Sequence, residues 1–288
     1  MMAVALLSAC QSEDFGISTE EVRHSKYDRD FIETFGQPAI GHQWGYDLFG
    51  DNETRATVDG APILMGEGPL KSGRIMCEDM GGKSSDFDFN DIVYDVAFDG
   101  TLCYVTLQAA GGTLPLQFYY GNTQLKTGSE GEIHAMFGAE TTSPVNVGAE
   151  NGATGTAITW VLGFGGGNQR VVEIDGQIHT VIHMEGDFDI SKFAVRVNAQ
   201  QSEWISVSNM TSTTPLCICV PLDVCWAKEG KRIDKAYPGF KNWVQDESAK
   251  FWTGSDIDGS LLCSPATSPL PETDEFSDTG DWNLAPRR

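Results

Sequence analysis

The sequence predicts an all-β fold, an antiparallel β-sandwich or jelly roll with one short helix before it and one near its end. Between residues 63 and 220 the chain is a succession of short runs rich in Val, Ile, Thr, Phe and Tyr, separated by Gly, Asn and Asp. Strands and turns in series, without helices between them, give packed antiparallel sheets. Asp175-Gly176 stands between two such runs, a strong hairpin signal. Helical spacing is confined to two places, one near each end.

The chain opens Met1-Met2-Ala3-Val4-Ala5-Leu6-Leu7-Ser8-Ala9-Cys10, an apolar run too short to span a bilayer but of the kind found in the core of a secretory signal. Leu7-Ser8-Ala9-Cys10 has the form of a bacterial lipobox, in which Cys10 becomes the acylated first residue. The expected organisation is a lipoprotein signal peptide at 1–9 and a tether at 10–23. The start resembles the export signal of lipoproteins anchored in the outer membrane of Gram-negative cells and exposed at the surface. Its positive charge is missing, so the true start codon is expected upstream.

Residues 24–60 should form the first helix and a lead-in, since Tyr27, Phe31 and Phe35 recur at four-residue spacing and stop at Gly36. The sandwich is expected over 61–263, with strands at 101–109, 114–120, 157–164, 171–184, 193–197 and 216–220. After the turn at Tyr237-Pro238-Gly239, the spacing of Phe240, Trp243 and Val244 predicts the second helix. Beyond Cys263 the periodicity fades into a loosely ordered acidic tail, 264–288.

The densest chemistry lies at 78–91, where Glu78, Asp79, Asp86, Asp88, Asn90 and Asp91 place six oxygen-bearing side chains within fourteen residues. Such carboxylates repel one another unless solvent or a cation stands between them, and hard oxygen ligands are what Ca2+ takes. Calcium is the expected cofactor. Apolar residues change face between Phe89 and Ile92, which places a turn or bulge at Asn90-Asp91. An EF-hand loop is excluded, because position six is Asp91 instead of Gly and position twelve is Ala97 instead of Glu. Asp187 and Asp189 are further candidate oxygens.

Other chemistries find little support. A net charge of −22 opposes nucleic acid and anionic lipid surfaces. Six cysteines besides Cys10, at 77, 103, 217, 219, 225 and 263, permit up to three disulfides in an oxidising compartment, with no pairing readable. His179 and His183 share a strand face but lie about 13 Å apart, too far for one metal. The glycines at 163–167 join two β runs and precede no helix, so they form a loop and not a nucleotide site. No nucleophile motif is present, and the expectation is a protein that is not an enzyme. Seven tryptophans, at 44, 160, 204, 226, 243, 252 and 282, serve as core or, where exposed, as sugar platforms.

Several stretches together resemble the LruC-domain family of bacterial surface lipoproteins. The match runs through Cys77-Glu78-Asp79, Asp86-Phe87-Asp88-Phe89-Asn90-Asp91-Ile92-Val93-Tyr94-Asp95-Val96 and Ala109-Ala110-Gly111-Gly112-Thr113-Leu114-Pro115-Leu116. It continues in Ile133-His134-Ala135-Met136-Phe137-Gly138, Pro144-Val145-Asn146-Val147-Gly148 and Tyr237-Pro238-Gly239-Phe240-Lys241-Asn242-Trp243-Val244. The resemblance implies a β-sandwich with a calcium site, displayed at the cell surface in an adhesin-like role; a glycan, a matrix component or another surface protein is the partner expected of such a module. It implies no established activity. The other reading is a glycan-binding or glycoside-active part of a polysaccharide-uptake system.

Overall fold

The computed structural model describes residues 19–49, the paired segments within 57–69, then 71–79, 85–146, 155–174, 176–197, 203–206 and 214–263. The expected signal peptide, the lipobox with Cys10 and the acidic tail lie outside the described residues.

Among the described residues twelve strands build two sheets: β1 (Lys71–Cys77), β2 (Ile92–Phe98), β3 (Leu102–Ala110), β4 (Leu116–Tyr120), β5 (Thr123–Gln124), β6 (Val145–Asn146), β7 (Ile158–Gly163), β8 (Val171–Ile174), β9 (Gln177–His183), β10 (Phe193–Val197), β11 (Glu203–Ser206) and β12 (Cys217–Val220). The larger sheet runs β8-β9-β7-β3-β2-β1-β12, with β6 paired to the end of β3, and the smaller runs β11-β10-β4-β5. Two small ribbons, Thr57–Val58 with Ala61–Pro62 and Leu64–Met65 with Gly68–Pro69, precede β1.

The sandwich forms because the two central strands of the smaller sheet, β4 and β10, each carry one apolar face. Leu116, Phe118 and Tyr120 of β4 alternate with half-buried residues, as do Phe193, Val195 and Val197 of β10. They meet Tyr94, Val96, Val105 and Trp160 of the larger sheet, and Tyr94 lies 4.7 Å from the Phe118 ring and 5.8 Å from Phe193.

The larger sheet does not alternate, because its outer face is covered too. β3 is buried at all nine positions. On that face Arg74 makes a bidentate pair with Asp95 at 2.7 and 2.9 Å, donates to Val224 O and lies over the Trp226 ring. Nearby, Ala97, Leu102, Tyr104, Val161, Val172, Ile174 and Val181 form a second apolar cluster.

All sheet pairings are antiparallel as expected except β7 with β9, which run parallel with β8 beyond β9. The hairpin at Gly176 is present, and Gly176 has φ +74°. A register shift between Val93 and Tyr94 leaves Gln108 of β3 unmatched, and its amide donates to Asp95.

Among the described residues four α-helices pack outside the strands: α1 (Thr19–Phe35), α2 (Ile133–Met136), α3 (Ile233–Ala236) and α4 (Phe240–Gln245). Tyr27, Phe31 and Phe35 of α1 and Phe240 and Trp243 of α4 are buried, as their spacing predicts. Gly45 (φ +82°) is required where the lead-in crosses β12, because a Cβ there would meet Cys219 O at 1.9 Å. Trp44 O in turn accepts from Cys219 N and covers this sheet edge. Among the described residues no helix is long and apolar enough to cross a membrane.

Candidate metal centre

The acidic loop links β1 to β2 and is held down by its own aromatic residues. Phe87 and Phe89 adopt φ of +57° and +55°, the left-handed region that bulky side chains avoid at about 1–3 kcal/mol each. Packing offsets that strain. Phe87 sits against Tyr27, Phe31 and Phe35 at 5.2 to 5.8 Å, and Phe89 lies 5.9 Å from Phe240. The left-handed pair leads into bends at Phe89 and Asp91, which bracket Asn90 where the turn is expected. The left-handed residues let both Phe87 and Phe89 be buried while the intervening oxygens turn the other way.

Of the six predicted residues the structure groups three most closely. Glu78, Asp86 and Asp88 each offer a carboxylate oxygen within 4.8 Å of the others, and only Asp86 is exposed. Asp79 and Asp91 converge on Gly112, where a Cβ would stand 2.5 Å from Asp79 Oδ2 and 2.9 Å from Asp91 Oδ1. Asn90 is turned inward, its amide donating to Asp88 Oδ2 at 3.0 Å and Ala227 O at 3.2 Å. Its Oδ1 is buried and has no hydrogen-bond partner among the described residues.

The loop also uses these carboxylates to fix its backbone. Glu78 Oε1 accepts from Phe89 N at 2.6 Å, and Asp91 Oδ2 accepts from Asp79 N at 2.6 Å. Ser85 Oγ donates to Glu78 Oε2.

A distant segment closes the site. Gly230 N donates to Asp88 Oδ2 at 2.8 Å and Ile233 N to Phe87 O at 2.7 Å. This brings in Glu229, a residue that sequence reasoning missed. Burial, then the charge of Asp86, pushes its carboxyl up to about 7. Glu229 stands in the turn between β12 and α3 with no acidic neighbour in sequence, so no local signal marks it.

Burial is the main cause of three further raised carboxyls. The Glu78 carboxyl lies well above the ordinary carboxylate range through burial and the charge of Asp86. Burial and Glu78 raise Asp88, and burial and Asp79 raise Asp91. Two unit charges at such spacing repel by roughly 3 to 4 kcal/mol at an effective dielectric near ~20. None of Glu78, Asp86, Asp88 and Asp91 forms an ion pair with lysine or arginine among the described residues.

The donor set is all hard oxygen, and one buried amide oxygen is unpartnered. Both features fit a hard divalent cation such as Ca2+. Glu78, Asp86 and Asp88 would hold it, with Asp79, Asn90, Asp91 and Glu229 around them.

Asp189 caps the short 3-10 turn at Ile190–Lys192, accepting from Ser191 N and Oγ. His179 and His183 lie along β9, opposite Val172 and Gly163 respectively. Trp44, Trp160, Trp226 and Trp243 are buried and Trp252 is half-buried. Trp282 lies outside the described residues, as does the side chain of Trp204.

No family model and no curated protein matches the chain, so the likeness to the LruC-domain family rests on the motifs themselves. A solved structure of a Bacteroides ovatus protein, provisionally described as a lipoprotein, is similar at 14% identity. It covers 68% of this chain and 76% of that one, with a TM-score of 0.35. A likeness of that degree carries no functional argument.

Proposed function

We propose that this chain is a non-catalytic surface module, anchored in the outer membrane through Cys10, whose sandwich is stabilised by calcium. Its role is adhesive, towards a glycan or a surface or matrix protein. The observation that carries the calcium reading is the approach of Glu78, Asp86 and Asp88 to within 4.8 Å, with two of the three carboxylates buried. A cation there would offset both the repulsion and the desolvation of the loop. The anchoring rests on the lipobox at 7–10.

Several carboxylates serve as backbone acceptors inside a loop fixed by Phe87 and Phe89, an arrangement suited to holding a structural ion. The test is a calorimetric calcium titration of the signal-free protein, with magnesium and chelator as controls. Calcium binding at one site, weakened roughly tenfold or more by Asp88→Asn, is the expected result. An absence of heat and an unchanged melt in excess chelator would sink the calcium reading. A glycan array run with and without calcium tests the adhesive role.

A further inference from the structure

We infer that Cys77 and Cys217 form a disulfide that ties the closing strand of the larger sheet to its neighbour. The two residues stand directly opposite on β1 and β12. Glu78 N donates to Leu216 O at 3.0 Å, which makes Glu78 and Leu216 a hydrogen-bonded pair and Cys77 and Cys217 a non-hydrogen-bonded one. In such a pair the Cα atoms are about 4.5 Å apart, within the range of about 4.4 to 6.8 Å that a disulfide spans. The two Sγ atoms are 3.1 Å apart, so a shift of about 1 Å brings them to bonding distance.

Among the strand pairs of the described residues, no other two cysteines stand opposite one another. Cys219 faces Ile75, and Cys103 pairs with Phe98 on one side and Leu162 on the other. Cys225 and Cys263 lie outside the named strands.

Both sulfurs are buried, so the bond forms before β12 has docked. The reagent it takes is a disulfide, either a protein disulfide oxidase or oxidised glutathione. The Cys77 thiolate attacks one donor sulfur, forming a mixed disulfide and releasing one donor thiol. The Cys217 thiolate then attacks Cys77 Sγ, forming the Cys77–Cys217 bond and releasing the second donor thiol. The two cysteines are oxidised, the donor disulfide is reduced, and the two cysteine protons end on the donor sulfurs. Nothing in this step depends on calcium.

The experiment is to refold the reduced full chain in a mixture of reduced and oxidised glutathione, alkylate the remaining thiols and map peptides without reduction. Cys217, Cys219 and Cys225 share one tryptic peptide, so fragment spectra must place the bond. The expected result is a linked pair carrying Cys77 and Cys217, absent from a Cys217→Ser chain. Reductant should lower the melting temperature of the wild type by roughly 10 °C and leave a Cys77→Ser/Cys217→Ser chain unmoved. Alkylation of both cysteines in the refolded wild type, or a bond from either to another cysteine, would overturn the assignment even where the variants fail to fold.

Discussion

Gly111 and Gly112 show how tightly single residues fix the acidic loop. A Cβ at Gly111 would meet Asn90 Oδ1 at 1.9 Å and Asn90 O at 2.7 Å, and both atoms belong to a buried residue that cannot withdraw. Gly111→Ala is therefore expected to cost about 3 kcal/mol or more in a denaturant melt. Gly121→Ala, at a positive φ in open space, should cost about 1 kcal/mol.

The buried carboxyls give a second prediction. Because burial and their neighbours raise Glu78, Asp88, Asp91 and Glu229, the cation-free folded state holds protons more tightly than the unfolded chain. Their contribution favours folding at low pH and is lost as pH rises above the ordinary carboxylate values, through about 7 for Glu229. In chelator, the melting temperature should fall between about pH 5 and about pH 8, and Glu229→Gln should flatten the upper part of that fall. An identical slope in the variant would rule out this role for Glu229.

At the level of elements, the loop at 85–91 joins three bodies. Phe87 docks on α1, Phe89 reaches α4, and Asp91 leads into β2. The aromatic anchors hold the carboxylates, so damage to an anchor should disturb their grouping. Phe87→Ala is expected to destabilise by about 3–5 kcal/mol and to weaken calcium binding, although Phe87 offers no oxygen. Calcium affinity equal to the wild type in a folded Phe87→Ala protein would show that the loop holds its shape without the anchor.

The sequence made parts of this legible for identifiable reasons. Phe193–Val197 alternates strictly, and Phe240, Trp243 and Val244 share one helical face, so both elements could be read locally. β1 could not, since its run contains Gly73 and a buried Arg74 whose partner, Asp95, stands on another strand. The parallel pairing of β7 and β9 has no local signature either. Within the site, the six clustered oxygens were visible as composition. The left-handed Phe87 and Phe89, which gather them, depend on helices far away in sequence, and Glu229 arrives only through the fold.

For the whole molecule, the net charge of −22 makes cation binding and screening matter beyond one loop. On the proposed calcium reading, calcium at a hundred times its dissociation constant should add about 2.7 kcal/mol, which for a protein of this size would raise the melting temperature by roughly 5–10 °C. Magnesium at the same concentration should do less if the site prefers calcium, and differential scanning calorimetry reads both. The outer-face pair makes a separate claim on stability. Asp95→Ala strands the Arg74 guanidinium in a buried setting and should cost about 3–5 kcal/mol, independent of calcium.

The closure of the acidic loop by Gly230 and Ile233 bears on when, during synthesis, the site comes into being. Its first carboxylate leaves the ribosome with β1, but its cover and Glu229 follow only after nearly all of the sandwich. A nascent chain halted before residue 229 holds six of the seven oxygen-bearing residues and lacks the segment that shuts them in. On the proposed calcium reading, a cation would therefore be enclosed only once the chain through residue 233 is present, and not by the acidic loop alone.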